Sequence, residues 1–383
     1  MNKMQVTPTA GADVLASEMA LSHFLNFSRA VAAFLVLLFH IRTTLIVPYE
    51  ELDVHNWMAK GTYAISTFGH DAVIIFFVLS GYLVGGAALR IDVTTSHAFR
   101  LYGIDRAVRI GPVLIATTIF SAALQHVAPL PACSDTPLTL IGNALALQNF
   151  LVRPLCNNLP LWSISNEVVY YFAFPVMLAA WSRAISIWLV ISLACVMLIG
   201  ILSLNLAPLD DTNIVLDCPF WLIGAALWFL PDISPRWRWL ALSLVAAALL
   251  FGRFEISRSY FWFRDLFLAA TFSYLLVTFR NQPMPQSGIR AAVAGRVAEC
   301  SRWLADFSFS LYVTHYPLIK LYAYLVLPLH HQEARYTAMT PGIMFEFIGL
   351  GAICILVAFG FGVLFERPRH LFKRTIARQF RIS

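Results

Sequence analysis

The fold is decided by the stretch Leu25-Asn-Phe-Ser-Arg-Ala-Val-Ala-Ala-Phe-Leu-Val-Leu-Leu-Phe-His40, an apolar run that contains one arginine and ends on a histidine. A run of this kind is typical of a membrane-spanning helix. Arg29 and His40 are separated by close to three helical turns, so both side chains project from nearly the same face, roughly 16 Å apart along the axis. Ionisable groups inside a span are costly to insert, and those that occur mark chemistry or a transport pathway.

The composition of the whole chain supports a membrane protein. Hydrophobic residues make up 59% of the 383 residues and charged residues only 13%, outside the range of soluble globular proteins. We predict an all-α polytopic membrane protein, because a β-barrel would show short alternating segments instead of long apolar runs. The net charge of +6 is not a nucleic-acid footprint, because the basic residues cluster in particular loops.

The apolar windows predict about ten transmembrane helices, at 24–46, 66–89, 108–127, 162–181, 185–206, 214–230, 238–251, 260–279, 304–327 and 342–365. Most of the lysine and arginine excess lies in the loops 90–109 and 280–302 and in the C-terminal tail. The positive-inside rule then predicts that both termini lie in the cytosol, N-in and C-in. The chain divides into a cytoplasmic N-terminal tail at 1–20, a transmembrane domain at 21–370 and a basic cytoplasmic tail at 371–383.

His40 is a candidate general base, for which a nearby carboxylate is the usual orienting group. Asp71 and Glu167 begin the second and fourth predicted spans, at their outer ends under this topology. We expect these three side chains to converge near the outer face. The alternatives are a packed imidazole at His40 and, for each acid, an interfacial charge favoured by the helix dipole.

Two arginines, Arg106 and Arg109, share a helix face at the inner end of the third span, on the predicted level of Arg29. Guanidinium binds phosphate through a bidentate fork, which makes the three arginines a candidate phosphate clamp. Plain positive-inside anchoring is the alternative.

Other polar residues interrupt the predicted spans or their loops. Ser80 precedes Gly81, a pairing typical of close helix packing. His315 lies two residues before Pro317, where it forms either the wall of a polar pocket or a structural hydrogen bond. No spacing of histidines, cysteines and acids predicts a metal site.

The predicted external loop at 128–161 contains Cys133 and Cys156. An oxidising compartment would allow this pair to form a disulfide. Two free thiols are the alternative, because the sequence alone does not fix the distance between them.

Taken in order, these motifs resemble the integral-membrane acyltransferase 3 family, which O-acylates bacterial surface glycans, Nod factors and some macrolides. The similarity covers nearly the whole chain and runs through Arg29…His40, Phe76-Phe-Val-Leu-Ser-Gly-Tyr82, Arg106-x-x-Arg109-Ile-x-Pro112, Leu161-Trp-Ser-x-Ser-x-Glu167, Ser310-Leu-Tyr-x-x-His315-x-Pro317 and Phe365-Glu366-x-Pro368. Two positions depart from the family pattern. Ile74 replaces the acid before the phenylalanine pair, and Val168 replaces a second acid after Glu167.

The resemblance implies a multi-pass protein of the bacterial inner membrane. It would move an acyl group, most often acetyl, from cytosolic acyl-CoA to a hydroxyl of an extracytoplasmic or lipid-linked glycan, without a metal. The implied catalytic residues are His40, Glu167 and Asp71, and the implied CoA-binding or supporting residues are Arg29, Arg106 and Arg109. Ser80, Trp162, Ser163, Tyr171 and His315 are the implied substrate-pocket residues.

Two other classes of function compete with this one. A proton-coupled transporter of a saccharide or small molecule would use His40, Asp71 and Glu167 as a relay. The paired repeats and broken helices typical of secondary transporters are not visible in the sequence. A membrane scaffold without catalysis would leave the pair of Arg29 and His40 unexplained, and the sequence indicates no oligomeric state.

Overall fold

The computed structural model describes residues 8–92, 95–130, 133–182, 212–254, 260–280, 288–327 and 335–373, with side chains from residue 20 in the first range and from residue 292 in the sixth. Helices dominate these ranges, and no β-strand occurs within them. The predicted all-α class is therefore confirmed. The predicted span at 185–206 lies outside the described residues.

The helices follow one another along the chain as apolar segments joined by short connections. They are α1 (Pro8–Leu45), α2 (Trp57–Ser66), α3 (Gly69–Ser80), α4 (Ser96–Val127), α5 (Pro137–Ala144), α6 (Trp162–Trp181), α7 (Ile214–Ala226), α8 (Arg238–Phe251), α9 (Phe261–Val277), α10 (Gly288–Ala305), α11 (Ser308–Val326) and α12 (Pro341–Phe361). Two of them, α3 and α12, continue through π-helical turns at Gly81–Gly85 and Gly362–Glu366.

Four segments of the described chain are helical, long and apolar enough to cross a membrane: Ala20–Leu45, Trp57–Ala88, Ser96–Val127 and Pro341–Lys373. The helices α6, α7, α8, α9 and α11 coincide with further predicted apolar windows. The count of about ten spans, the N-in/C-in orientation and the domain boundaries stay predictions. The helix that contains the third predicted span extends beyond it, because α4 begins at Ser96, where Thr95 caps it by accepting a hydrogen bond from the Ala98 amide.

The first helix lies at the centre of the packing. It packs against α3 on one side and against α10, α11 and α12 on the other. One apolar cluster gathers around α3, α6, α7 and α9 and contains the buried Phe77 and Trp221. The second joins α1 to α11 and α12 and contains the buried Ile41 and Phe307. Because α1 contributes residues to both clusters, it lies between them.

The helices α3 and α7 cross at very short range. A Cβ added to Gly81 would overlap the backbone carbonyl of Trp221, and one added to Gly224 would overlap that of Val78. Small residues at such a crossing allow two backbones to approach. Beside it, Ser80 Oγ accepts a hydrogen bond from Trp221 Nε1 at 3.2 Å. The packing role predicted for Ser80 and Gly81 is therefore confirmed.

The connection between α4 and α6 is closed by a disulfide between Cys133 and Cys156, whose Cα atoms lie 5.8 Å apart. Of the two alternatives for this pair, the structure has the disulfide. The connection then enters the bundle, where Asn158 is fully buried and donates from Nδ2 to the Val313 carbonyl at 2.8 Å. Pro317 has no N–H and leaves that carbonyl free within α11. The disulfide loop is thus tied to α11 close to His315.

Candidate active site

A cavity of about 80 Å³ lies between α1, α3, α4, α6 and α11. Three charged side chains line it, those of Arg29, Arg109 and Glu167. The remaining polar wall consists of hydroxyl groups, and the rest of the wall is aliphatic and phenylalanine side chains from α3 and the turn that follows it, α4, α6 and α11. A cavity with apolar walls and a few convergent polar groups is the usual form of a small-molecule site.

The cationic part of the wall is built from two helices. Arg29 on α1 donates from Nη2 to Ser308 Oγ at 3.2 Å, and Ser308 is the first residue of α11. Arg109 on α4 lines the same cavity. The structure thus brings together Arg29 and Arg109, two of the three arginines predicted on one level.

The third arginine, Arg106, does not line the cavity. Arg106 forms an ion pair with Asp105 and lies over the Tyr102 ring, 5.6 Å from its centroid, and it is not among the residues that line the cavity. Asp105 in turn accepts a hydrogen bond from Lys373 Nζ at 2.6 Å. Through Asp105, these contacts connect Arg106 to Lys373 at the C-terminal end of the described chain. Arg106 itself lies one helical turn before Arg109 on α4.

The carboxylate of Glu167 ends a chain of hydrogen bonds inside the bundle. Trp221 donates to Ser80, Ser80 Oγ donates to the Tyr171 hydroxyl at 3.1 Å, and Tyr171 donates to Glu167 Oε2 at 3.0 Å. Glu167 also lies within electrostatic range of Arg29 and Arg109. The expectation that Glu167 lies beside His40 at the outer face is therefore wrong: it belongs to the level of the arginines.

The physical reason is the place where α6 begins. The outer position predicted for Glu167 requires α6 to begin at the membrane surface. In the structure the preceding segment is buried and held by side-chain hydrogen bonds, including one from Gln148 Nε2 to the Leu161 carbonyl at 2.7 Å. Irregular backbone at membrane depth is tolerated where protein buries it. The helix α6 therefore begins inside the bundle, and Glu167, in its second turn, lies deep within it.

Asp71 faces a different part of the molecule from His40. Its carboxylate forms an ion pair with Arg253, which also donates to the Thr67 carbonyl, and this contact lies at the start of α3. Gly69 packs on Phe39 of α1, and a residue two positions on is rotated by about 200° around a helix. Asp71 therefore points away from α1, and its expected convergence with His40 is not found.

The histidine predicted as the base lies next to a second histidine. The ring centroids of His40 and His315 are 5.2 Å apart, and Tyr316 packs edge-on against His40 at 4.9 Å. His315 is only 1% exposed, and its Nδ1 lies 3.0 Å from the Leu311 carbonyl. His315 thus makes the structural bond that was one of its two alternatives. It does not line the cavity.

The remaining predicted pocket residues divide in the same way. Ser80, Ser163 and Tyr171 line the cavity, whereas Trp162 packs near Phe77 with 6.2 Å between ring centroids and does not. Within the described ranges, no group of three or more histidine, cysteine or acidic side chains could hold a metal ion.

Two further residues belong to this neighbourhood. Tyr312 lines the cavity, shares a hydrogen bond of 2.7 Å with Ser163 and lies 6.0 Å from His315 between ring centroids. Its position three residues before His315 is the signal that places both on one helix face. Glu366 accepts a hydrogen bond from Ser310 Oγ at 2.8 Å and interacts electrostatically with Arg29 and Arg109.

Comparison with known proteins identifies the family. A family model described as an acyltransferase domain matches residues 22–367, which include Arg29, His40, Arg109 and Glu167. No curated protein and no solved structure matches the chain. The match extends over nearly the whole chain and includes the residues of the cavity and of the histidine pair. The chain therefore belongs to the acyltransferase 3 family.

Proposed function

We propose that this membrane acyltransferase moves an acyl group, acetyl in the first instance, from cytosolic acyl-CoA to a hydroxyl of an extracytoplasmic or lipid-linked glycan, with His40 as the catalytic residue. One observation carries the proposal. The same helix, α1, holds Arg29 in the wall of a charged cavity and His40 three turns further on, beside His315. An anion-binding level and a proton-accepting level are thus fixed relative to each other by one rigid element.

The donor end of the proposal rests on the two arginines of the cavity. Guanidinium groups bind phosphate and other anionic oxygens through paired hydrogen bonds. We assign Arg29 and Arg109 to the CoA moiety, with Arg106, one turn away and held by Asp105, in support. The apolar walls of the cavity suit the pantetheine arm. Extended along α1, that arm would carry the thioester toward His40.

At this level Glu167 serves as a counter-charge. Two arginines in one small cavity repel each other, and a carboxylate within electrostatic range offsets that repulsion while no anion is bound. Tyr171 and Ser80 hold the carboxylate in place. We therefore propose that Glu167 acts on the donor side of the reaction. The contacts of Asp71 with Arg253 support a structural role for that residue at the start of α3.

The chemistry at His40 is acyl transfer with general-base catalysis. The unprotonated imidazole nitrogen takes the proton of the acceptor hydroxyl while the hydroxyl oxygen attacks the thioester carbonyl. The carbon–sulfur bond then breaks, and the CoA thiolate leaves as the thiol after it takes up a proton from the imidazolium. In a second route His40 first carries the acyl group itself and then passes it to the acceptor. Both routes require one imidazole nitrogen free of its proton.

The proposed direction of transfer rests on the disulfide loop. Disulfides persist in oxidising compartments, which the bacterial cytosol is not. The loop that contains Cys133–Cys156 is tied to α11 through Asn158 and Val313, two residues from His315. The histidine end of the site therefore belongs to the extracytoplasmic side, and the arginine end faces the cytosol.

Mass spectrometry of the surface glycans from a deletion strain and from its complemented parent tests this function. We expect the deletion strain to make the same glycan backbone without its acyl ester. An unchanged ester content in the deletion strain contradicts the proposal. Loss of the whole glycan from the surface, with its acylated form retained inside the cell, would favour export.

A further inference from the structure

We propose that His315 is a positioning residue that orients the imidazole of His40, in the place where many acyl-transfer sites use a carboxylate. The inference rests on the proposed function, because it presupposes that His40 acts as the base. It concerns the contact between His40 on α1 and His315 on α11. It gives a function to the buried Nε2 atom of His315, which has no hydrogen-bond partner among the described residues.

The surroundings of His40 contain neither of the predicted acids. Asp71 is paired with Arg253, and Glu167 is bonded to Tyr171 on the level of the arginines. Among the described residues, the rings in contact with His40 are those of His315, Tyr316 and Phe39, and the Lys320 ammonium lies 5.3 Å from the centre of the Tyr316 ring. Of these groups, His315 offers a nitrogen lone pair.

The tautomer of His315 follows from its own helix. Its Nδ1 lies 3.0 Å from the Leu311 carbonyl, which only accepts hydrogen bonds, so Nδ1 carries the proton. Its Nε2 is then an acceptor. This atom is buried and has no hydrogen-bond partner among the described residues. Buried polar atoms without a partner are rare in folded proteins and call for an explanation.

The distance between the two rings fits a hydrogen bond in the working enzyme. A direct bond between two imidazoles, with about 3 Å between the nitrogens, places the ring centroids roughly 5 Å apart. The observed separation is 5.2 Å, with 36° between the ring planes, so the two rings lie at the separation that such a bond requires. Hydrogen bonds at catalytic groups often tighten only when substrate binds.

Such a bond determines which nitrogen of His40 is free. When one nitrogen donates its proton to His315, the other is unprotonated and can accept the proton of the acceptor hydroxyl. A buried carboxylate does the same for the base in serine hydrolases. A neutral imidazole performs this task without an additional charge at membrane depth, where a buried charge is expensive.

Two amide substitutions at this position separate orientation from packing. His315→Asn keeps a donor near Nδ1 for the Leu311 carbonyl but lacks an atom at the position of Nε2. His315→Gln reaches the position of Nε2 with an acceptor oxygen but lacks the donor near Nδ1. Thr314→Val is the control, because Thr314 is a buried neighbour whose hydroxyl donates to the Ser310 carbonyl of its own helix at 2.7 Å.

The measurement uses inverted membrane vesicles from a deletion strain that expresses each full-length variant. Radiolabelled acetyl-CoA is added outside, and ester-linked label is counted in the glycan and lipid-linked fractions at matched protein levels. We expect His315→Asn to lower kcat by about 100-fold and to change KM for acetyl-CoA by less than about threefold. His315→Gln should keep at least about ten times the kcat of His315→Asn, and Thr314→Val should resemble the wild type.

The opposite order, with His315→Asn more active than His315→Gln, would show that the bond to Leu311 matters and would overturn the inference. Equal kcat in both variants, or a change confined to KM, would overturn it as well. His40→Ala in the same vesicles distinguishes a failure of the proposed function from a failure of the role of His315. If His40→Ala is fully active, the proposed function fails. If it is inactive while His315→Asn is fully active, only the role of His315 fails.

Discussion

Arg29 on α1 donates a hydrogen bond to Ser308 at the start of α11, with 3.2 Å between Nη2 and Oγ. Two turns further along α11, His315 lies beside His40 of α1. The same two helices therefore hold both levels of the site, roughly 10 Å apart along α11 and 16 Å apart along α1. A site built on packed helices keeps its geometry better than one built on loops.

Removal of either cavity arginine should weaken the binding of acyl-CoA. A hydrogen bond to a charged group contributes about 1.5–3 kcal/mol, so Arg29→Ala and Arg109→Ala should each raise Kd for acetyl-CoA about 10–100-fold. The measurement is equilibrium binding of radiolabelled acetyl-CoA to the purified protein. Arg100→Ala is the matched control, because Arg100 lies on α4 with Arg109 but is exposed to solvent. Equal weakening by Arg100→Ala would indicate a general charge effect and would contradict a specific clamp.

The proposed orientation predicts which cysteines react from which side. Cys300 is exposed on α10, a helix that ends three residues before Ser308, so a membrane-impermeant maleimide should label it in inverted vesicles. In intact spheroplasts the same reagent should label Cys133, and only after reduction of its disulfide with the buried Cys156. The readout is a mass shift of the protein on a gel. The reversed labelling pattern would contradict the proposed orientation and would place the histidine end of the site on the cytosolic side.

The crossing of α3 and α7 predicts a stability effect. Gly81→Ala places a methyl group against the Trp221 carbonyl and should lower the free energy of unfolding by about 1–3 kcal/mol. Gly111→Ala is the control, because nothing lies within 4 Å of an added Cβ there. Thermal unfolding of the two variants in the same detergent compares them. A lower midpoint for Gly111→Ala than for Gly81→Ala would contradict the close crossing.

The ion pair at the start of α3 should be energetically coupled. Asp71 is buried and Arg253 is about 30% exposed, so solvent screens the pair in part. We expect a coupling of about 1 kcal/mol in a double-mutant cycle of Asp71→Asn and Arg253→Gln, measured as the free energy of unfolding. Additive effects of the two substitutions would show that the contact contributes nothing to stability.

The positions of the helices could be predicted well from the sequence. The helices α6 and α8 begin and end at the residues that the apolar windows predict, because an apolar span must satisfy its own backbone as a helix. The starts of α1 and α4 could not be predicted in this way. Both helices extend beyond their apolar parts through polar residues, which a hydropathy window does not register.

The site was only partly predictable. The level shared by Arg29 and Arg109 follows from their places on two apolar helices, and the structure joins them in one cavity. The direction in which Asp71 points depends on how α3 is rotated against its neighbours, which its own sequence does not contain. The depth of Glu167 depends on a buried segment before α6, which is held by side-chain hydrogen bonds within the segment and, through Asn158, to Val313 on α11.

The central claim is that His40 performs acyl transfer, and one measurement tests it most directly. Inverted membrane vesicles that contain the wild type or His40→Ala at equal protein levels are given radiolabelled acetyl-CoA, and ester-linked label is counted in the glycan and lipid-linked fractions. We predict that His40→Ala binds acetyl-CoA with unchanged affinity and transfers at least about 100 times less label than the wild type. Undiminished transfer by His40→Ala would contradict the account.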